Sequence, residues 1–269
     1  MKRLIALGAT VAIAAGAGAA SIGSPATAVP LPSVTQLIFN DPELECLSLT
    51  PDAVSVPVVD DPGDPITLDL HVIADRGVSD ARARSIVAQA QRTYTPLNIN
   101  LNVVSSEHVN FTGTDALGLI GQAKARVGGP RPAGTDVVIT ITSADLTVEG
   151  LGNGVAGMAD CIGGVNDPAH SFLVAEDAAI TVDYPDEGFD IGPVTFSPGL
   201  SAKIVGHELG HILGAHHHYG NCAEGVTAAT DGDYAPCTIM LTVVVDFLSH
   251  RFGALESNVV RAHAHEWAR

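Results

Sequence analysis

Residues 207–218 read HELGHILGAHHH, five histidines within twelve positions. Imidazole nitrogens are the commonest protein ligands for a divalent transition metal. The first question is therefore which of these rings can reach one point. In an α-helix each residue turns about 100° and rises about 1.5 Å. His207 and His211 are four apart, so their rings lie on one face within about 40° of each other. His217 is ten beyond His207, and a continuous helix would carry it about 15 Å further along and onto another face. It reaches the same ion only if the helix stops. Gly214 stands where the stop is needed, because glycine accepts a positive φ at no steric cost and ends helices for that reason. The chain is expected to turn at Gly214 and return His217 as the third ligand. His216 and His218, its neighbours in extended chain, then point elsewhere.

Three neutral imidazoles around one zinc leave a fourth coordination position open, where water becomes acidic enough to act near neutral pH. Glu208 follows the first ligand directly. Its carboxylate is the candidate general base, taking the water's proton and passing it to a leaving amine.

His207-Glu208-x-x-His211-x-x-Gly214-x-x-His217 resembles the signature of the metzincin zinc endopeptidases. The resemblance implies a methionine in a tight turn beneath the metal, and Met240 in "CTIM" is the candidate. The cysteine ahead of that methionine is similar to the reprolysin (adamalysin) branch. So are the edge strand suggested by "GVAGMADC" and the "DFLSHRFGALESNVVR" tail. Thr242 stands where the astacin and serralysin branches place a tyrosine, so three protein ligands are implied. The implied activity is hydrolysis of a protein or peptide substrate held along an edge strand. Two rivals keep the same site: a non-catalytic zinc-binding or adhesion protein, and a zinc hydrolase of cell-wall amides.

The elements that must position these residues follow from hydrophobic periodicity. Strands are expected at 66–75, 99–105, 136–143, 154–161 and 171–177. Helices are expected at 80–94 (N-capped by Ser79), 115–127, 201–214 (N-capped by Ser201) and 256–267. This order implies an α/β (α+β) fold: a mixed twisted sheet with packed helices, an active-site helix, and a small irregular C-terminal subdomain ending in a helix. The run 136–143 is largely apolar and reads as a strand buried on both faces.

Residues 1–28 have a basic start (Lys2, Arg3), an apolar Ala/Gly-rich run and a small-residue exit, the layout of a cleaved secretory signal. Residues 29–65 read as an N-terminal arm or short pro-segment, 66–217 as an upper catalytic subdomain, and 218–269 as a lower one holding the methionine turn. A secreted, extracellular chain is expected. Four cysteines in an exported chain suggest two disulfides. Cys222 with Cys237 closes a short loop and leaves Cys46 with Cys161, one of three connectivities; the alternative is a free Cys46.

The formal charge is −17, and loss of Lys2 and Arg3 would take it to −19. A chain this acidic holds neither nucleic acid nor an anionic membrane by charge. Stable membrane association is not expected, and a monomer is. One catalytic Zn2+ is the expected cofactor. Ca2+ is a second candidate ion, at the acidic stretch 183–190. His71, His108, His170, His250, His263 and His265 are scattered and not expected to bind the catalytic metal; His263 and His265 read as solvated.

Overall fold

The computed structural model describes residues 63–148, 152–153, 155–177, 198–217, 238–240 and 250–268. The expected signal and arm, Cys46, Cys222, Cys237, the acidic stretch 183–190 and most of the expected lower subdomain lie outside these residues.

The elements are β1 (Ile66–Asp75), α1 (Asp80–Tyr94), β2 (Ile99–Val109), α2 (Ala116–Val127), β3 (Val137–Thr142), β4 (Thr147–Val148), β5 (Gly152–Asn153), β6 (Gly157–Ala159), β7 (Phe172–Glu176), α3 (Pro198–Ile212) and α4 (Ala254–Trp267). Five strands form one mixed sheet in the order β2-β1-β3-β7-β6. The first four are parallel, and β6 pairs antiparallel with β7 at the edge. The expected α/β (α+β) class is the observed one.

The topology follows from crossover handedness. The chain leaves β1 for β2, then passes back over β1 to β3. Two crossovers of the same hand running in opposite directions must place their helices on opposite faces. Accordingly Ala83, Ile86, Val87, Ala90 and Tyr94 of α1 pack in one core with Leu68, Leu70, Val72 and Ala74 of β1. Ala116, Leu119, Ile120 and Ala123 of α2 pack with Ile73 and Val138 on the other side. Strand β3 is buried along its whole length, as its unbroken apolar run requires.

Local signals account for most boundaries. The Ser79 side chain accepts from the Arg82 amide at 3.2 Å and starts α1. Three boundaries differ from expectation by more than two residues. Strand β2 runs to Val109, four residues further, through an irregularity between Leu70 and His71 that leaves Val104 unmatched. Strand β6 shrinks to three residues, and the two-residue strands β4 and β5 pair before it. Helix α3 begins at Pro198, so Ser201 is not its N-cap. Ser201 is instead buried, and its hydroxyl donates to Asp177 at 3.0 Å. Asp177 also takes a two-pronged contact from the Arg82 guanidinium, at 2.7 and 3.0 Å. A serine in the first helical turns is a poor local marker when its oxygen is claimed from another element. Among the described residues no helix is long and apolar enough to cross a membrane.

Candidate metal centre

Helix α3 carries His207, Glu208 and His211, all buried, and lies on the core face of the sheet through Leu200, Ile204, Val205, Leu209 and Ile212. It ends at Gly214, whose φ is +89°. The Gly214 amide donates to the His211 carbonyl at 2.8 Å, and the Ala215 amide to the Gly210 carbonyl at 2.9 Å. That pair of bonds is the Schellman arrangement, in which a left-handed residue closes the last turn and sends the chain away from the helix axis. The reversal returns His217 to the helix.

The three Nε2 atoms converge. His207 and His217 are 2.9 Å apart, His211 and His217 3.0 Å, and His207 and His211 3.1 Å. Among the described residues these three side chains form the one group of histidine, cysteine or carboxylate residues able to share a metal ion.

The other ring nitrogens decide what the convergence means. His207 Nδ1 donates to the Ile239 carbonyl at 2.7 Å, and His211 Nδ1 to the Ala215 carbonyl at 2.7 Å. A ring nitrogen facing a carbonyl carries the proton, so in a neutral imidazole the opposite nitrogen is bare. Both rings are held neutral. Burial, with the His217 charge added to it, lowers His207 to about 3. Burial, with the neighbouring rings, takes His211 well below its ordinary value. Two bare lone pairs therefore face each other at 3.1 Å, a repulsive contact unless a cation lies between them. Tetrahedral zinc with Zn–N bonds of about 2.1 Å separates its nitrogens by roughly 3.4 Å. The residues present fit such an ion, with His207, His211 and His217 holding it. The carbonyls of Ile239 and Ala215 fix the tautomers from behind, as acceptors on the far ring nitrogen do in zinc sites.

Glu208 is 6% exposed. Burial pushes its carboxyl up to about 8, while the backbone amide of Ala159 in β6 favours the charged form. Met240 lies beneath α3, fully buried, its Sδ 2.9 Å from where a Cβ on Gly210 would stand. It follows Ile239, whose carbonyl holds His207.

Several participants carry no local sequence signal. Tyr94, fully buried at the end of α1, donates its hydroxyl to the Gly206 carbonyl at 2.7 Å, one residue before the first histidine. It also packs edge-on against Phe252 at 5.5 Å between ring centroids. His263 corrects the expectation of a solvated ring: it is 4% exposed. Helix α4 presses Val259 and His263 onto the Gly214 turn. Burial, with His216 nearby, lowers its pKa. His265 is exposed as expected. His71 contacts Ser105 and Glu107, His108 the Arg76 carbonyl, and His170 Asp160; none joins the cluster. Cys161 is buried after β6.

Fold and site together define a mixed α/β protein with a three-histidine metal-binding centre on a helix ended by glycine. No protein-family model and no curated protein sequence matches the chain. Among solved structures it is similar to metalloproteinase-II from Bacteroides fragilis, with a TM-score of 0.41 and 15% sequence identity, covering 70% of this chain and 49% of that one. It is also similar to archaemetzincin from Methanopyrus kandleri, with a TM-score of 0.48 and 18% identity, covering 73% and 95%. The chain thus spans about half the length of the B. fragilis protein.

Proposed function

We propose that this chain is a secreted, monomeric zinc endopeptidase of the metzincin type, related within it to the reprolysin branch. The observation that carries the reading is the convergence of three Nε2 atoms on one point, with a buried carboxylate, Glu208, on the same helix. A group kept only to bind metal has no need of that carboxylate. Zinc, when bound, supplies a Lewis acid that acidifies water and polarises the scissile carbonyl.

The remaining work belongs to side chains and backbone. Glu208 accepts the proton of the attacking water and delivers it to the leaving amine. Its burial favours the protonated form, and a bound dication would favour the carboxylate. Among the described residues strand β6 is the edge of the sheet beside α3, so an extended peptide can add to it through backbone hydrogen bonds. Disulfides Cys222–Cys237 and Cys46–Cys161 are part of the same proposal and suit an exported protein.

The test is metal analysis of the purified secreted chain with a casein cleavage assay, run on wild type and Glu208→Ala. One zinc per chain in both proteins, with cleavage confined to wild type, is expected. Equal cleavage by both would overturn the mechanism. Zinc in both with cleavage by neither would leave a binding protein. Digestion of cell-wall material in place of casein would move the substrate from peptides to cell-wall amides.

A further inference from the structure

Strand β6 has a glycine, Gly157, at a position where the backbone does not ask for one. Its φ lies outside the left-handed region, unlike that of Gly163 or Gly214. Glycine within a strand is otherwise unfavourable and marks a bulge or a close approach by another group. Here it is a close approach. A Cβ at this position would stand 2.7 Å from Cγ of Glu208, 2.8 Å from its Oε1, and 2.7 Å from Cγ2 of Ile204. Side-chain carbons do not approach that closely. Any residue but glycine must displace the carboxylate, the isoleucine or the strand.

The strand's pairing shows what else meets there. The Asp160 amide donates to the Phe172 carbonyl, and the Glu176 amide to the Ala156 carbonyl, both at 2.8 Å. Residues 156, 158 and 160 therefore turn their backbone groups toward β7. By the alternation of an antiparallel ladder, Gly157 and Ala159 turn theirs outward, away from β7. The outward amide of Ala159 faces the Glu208 carboxylate.

We propose that Gly157 is a positioning residue for Glu208: its missing side chain is the space in which the carboxylate seats against the outer side of β6. The proton-accepting group and the strand that docks an extended peptide then share one short stretch of backbone. The seating is a statement about geometry. Its catalytic consequence rests on the endopeptidase reading above.

The experiment compares wild type, Gly157→Ala and Glu208→Ala. Gly157→Ala is expected to keep one zinc per chain and to melt a few degrees below wild type, because the new Cβ also crowds Ile204. Its KM for a peptide substrate should stay within about threefold, while kcat falls about 30- to 100-fold, as displacement of a reacting group by about 1 Å does. A crystal structure of the variant should show the Glu208 carboxylate moved away from β6 with the three histidines in place. Wild-type kcat in the zinc-loaded variant, or an unmoved carboxylate, would overturn the proposal. Amide exchange at Ala159 supplies a readout that needs neither activity nor the glycine variant. An outward edge amide exchanges fast unless something covers it, so Ala159 should exchange slowly in wild type and fast in Glu208→Ala. Equal rates would also overturn the seating. If wild type cleaves no peptide while Ala159 exchange still depends on Glu208, the endopeptidase reading falls and the seating stands.

Discussion

The ring of His207 and the carbonyl of Ile239 are 32 residues apart in sequence and 2.7 Å apart in space. That bond ties the first metal-ligand residue to the turn holding Met240 and sets which of its nitrogens faces the metal. Met240 itself contacts α3 through sulfur, at the gap left by Gly210. Met240→Leu, nearly equal in volume, should cost less than about 1.5 kcal/mol, and Met240→Ala about 2–5 kcal/mol. Both should keep zinc, because methionine packs beneath the site without entering it. Urea unfolding with metal analysis measures both effects, and zinc loss in the leucine variant would count against the assignment.

Removing the metal should soften the protein without unfolding it. The lone pairs of His207 and His211 repel when nothing lies between them, while α3 remains anchored by its apolar face. At free zinc near 1,000 times the dissociation constant, binding adds about 4 kcal/mol, or roughly 10 °C in melting temperature for a domain of this size. Scanning calorimetry before and after 1,10-phenanthroline, with zinc restored last, should show a reversible drop of that order. No change on chelation would remove the metal from the account.

The Gly214 turn is constrained twice. A non-glycine residue at its positive φ costs roughly 1–2 kcal/mol. A Cβ there would also stand 2.4 and 2.5 Å from Cε1 and Nδ1 of His263. Gly214→Ala should therefore displace His217 and weaken zinc binding at least about tenfold. Adding His263→Ala should recover the steric part and leave the backbone part. Chelator-competition titrations of the single and double variants separate the two contributions. Full recovery in the double variant would show that backbone strain contributes nothing.

Glu176 gives stability a pH dependence of its own. Burial raises its carboxyl from 4.5 to about 7, opposed by the Leu146 amide and assisted by Asp145. The folded chain therefore keeps this proton up to about pH 7, whereas the unfolded chain releases it near 4.5. Between those values the folded state binds more protons, so stability falls as pH rises through the window and levels off above it. The contribution is on the order of 3 kcal/mol. Glu176→Gln keeps an acceptor for Leu146 and removes the titration. The difference in urea midpoint between variant and wild type should grow from pH 4.5 to 7.5. A constant difference would sink the assignment.

What the sequence determined was local in character. His207 and His211 share a face because four residues make just over one turn, Gly214 ends the helix because it lacks a Cβ, and Ser79 caps α1 from three residues away. The largely apolar run at 136–143 reads as a strand buried on both faces, and β3 is one. The ligand set and its turn were legible because their geometry depends on the residues between them. Tertiary structure alone decided the rest. The Tyr94 hydroxyl reaches Gly206 across 112 residues, Asp177 claims the Ser201 hydroxyl that its place in the sequence offers as a cap, and helix α4 buries His263, whose place two residues from His265 suggests a solvated ring. Gly157 is the clearest case: an unremarkable strand glycine until the Glu208 side chain is seen in the space a Cβ would fill. Each of these depends on which surfaces meet when helices close over the sheet, and that follows from packing the whole chain and has no signature in any short stretch of it.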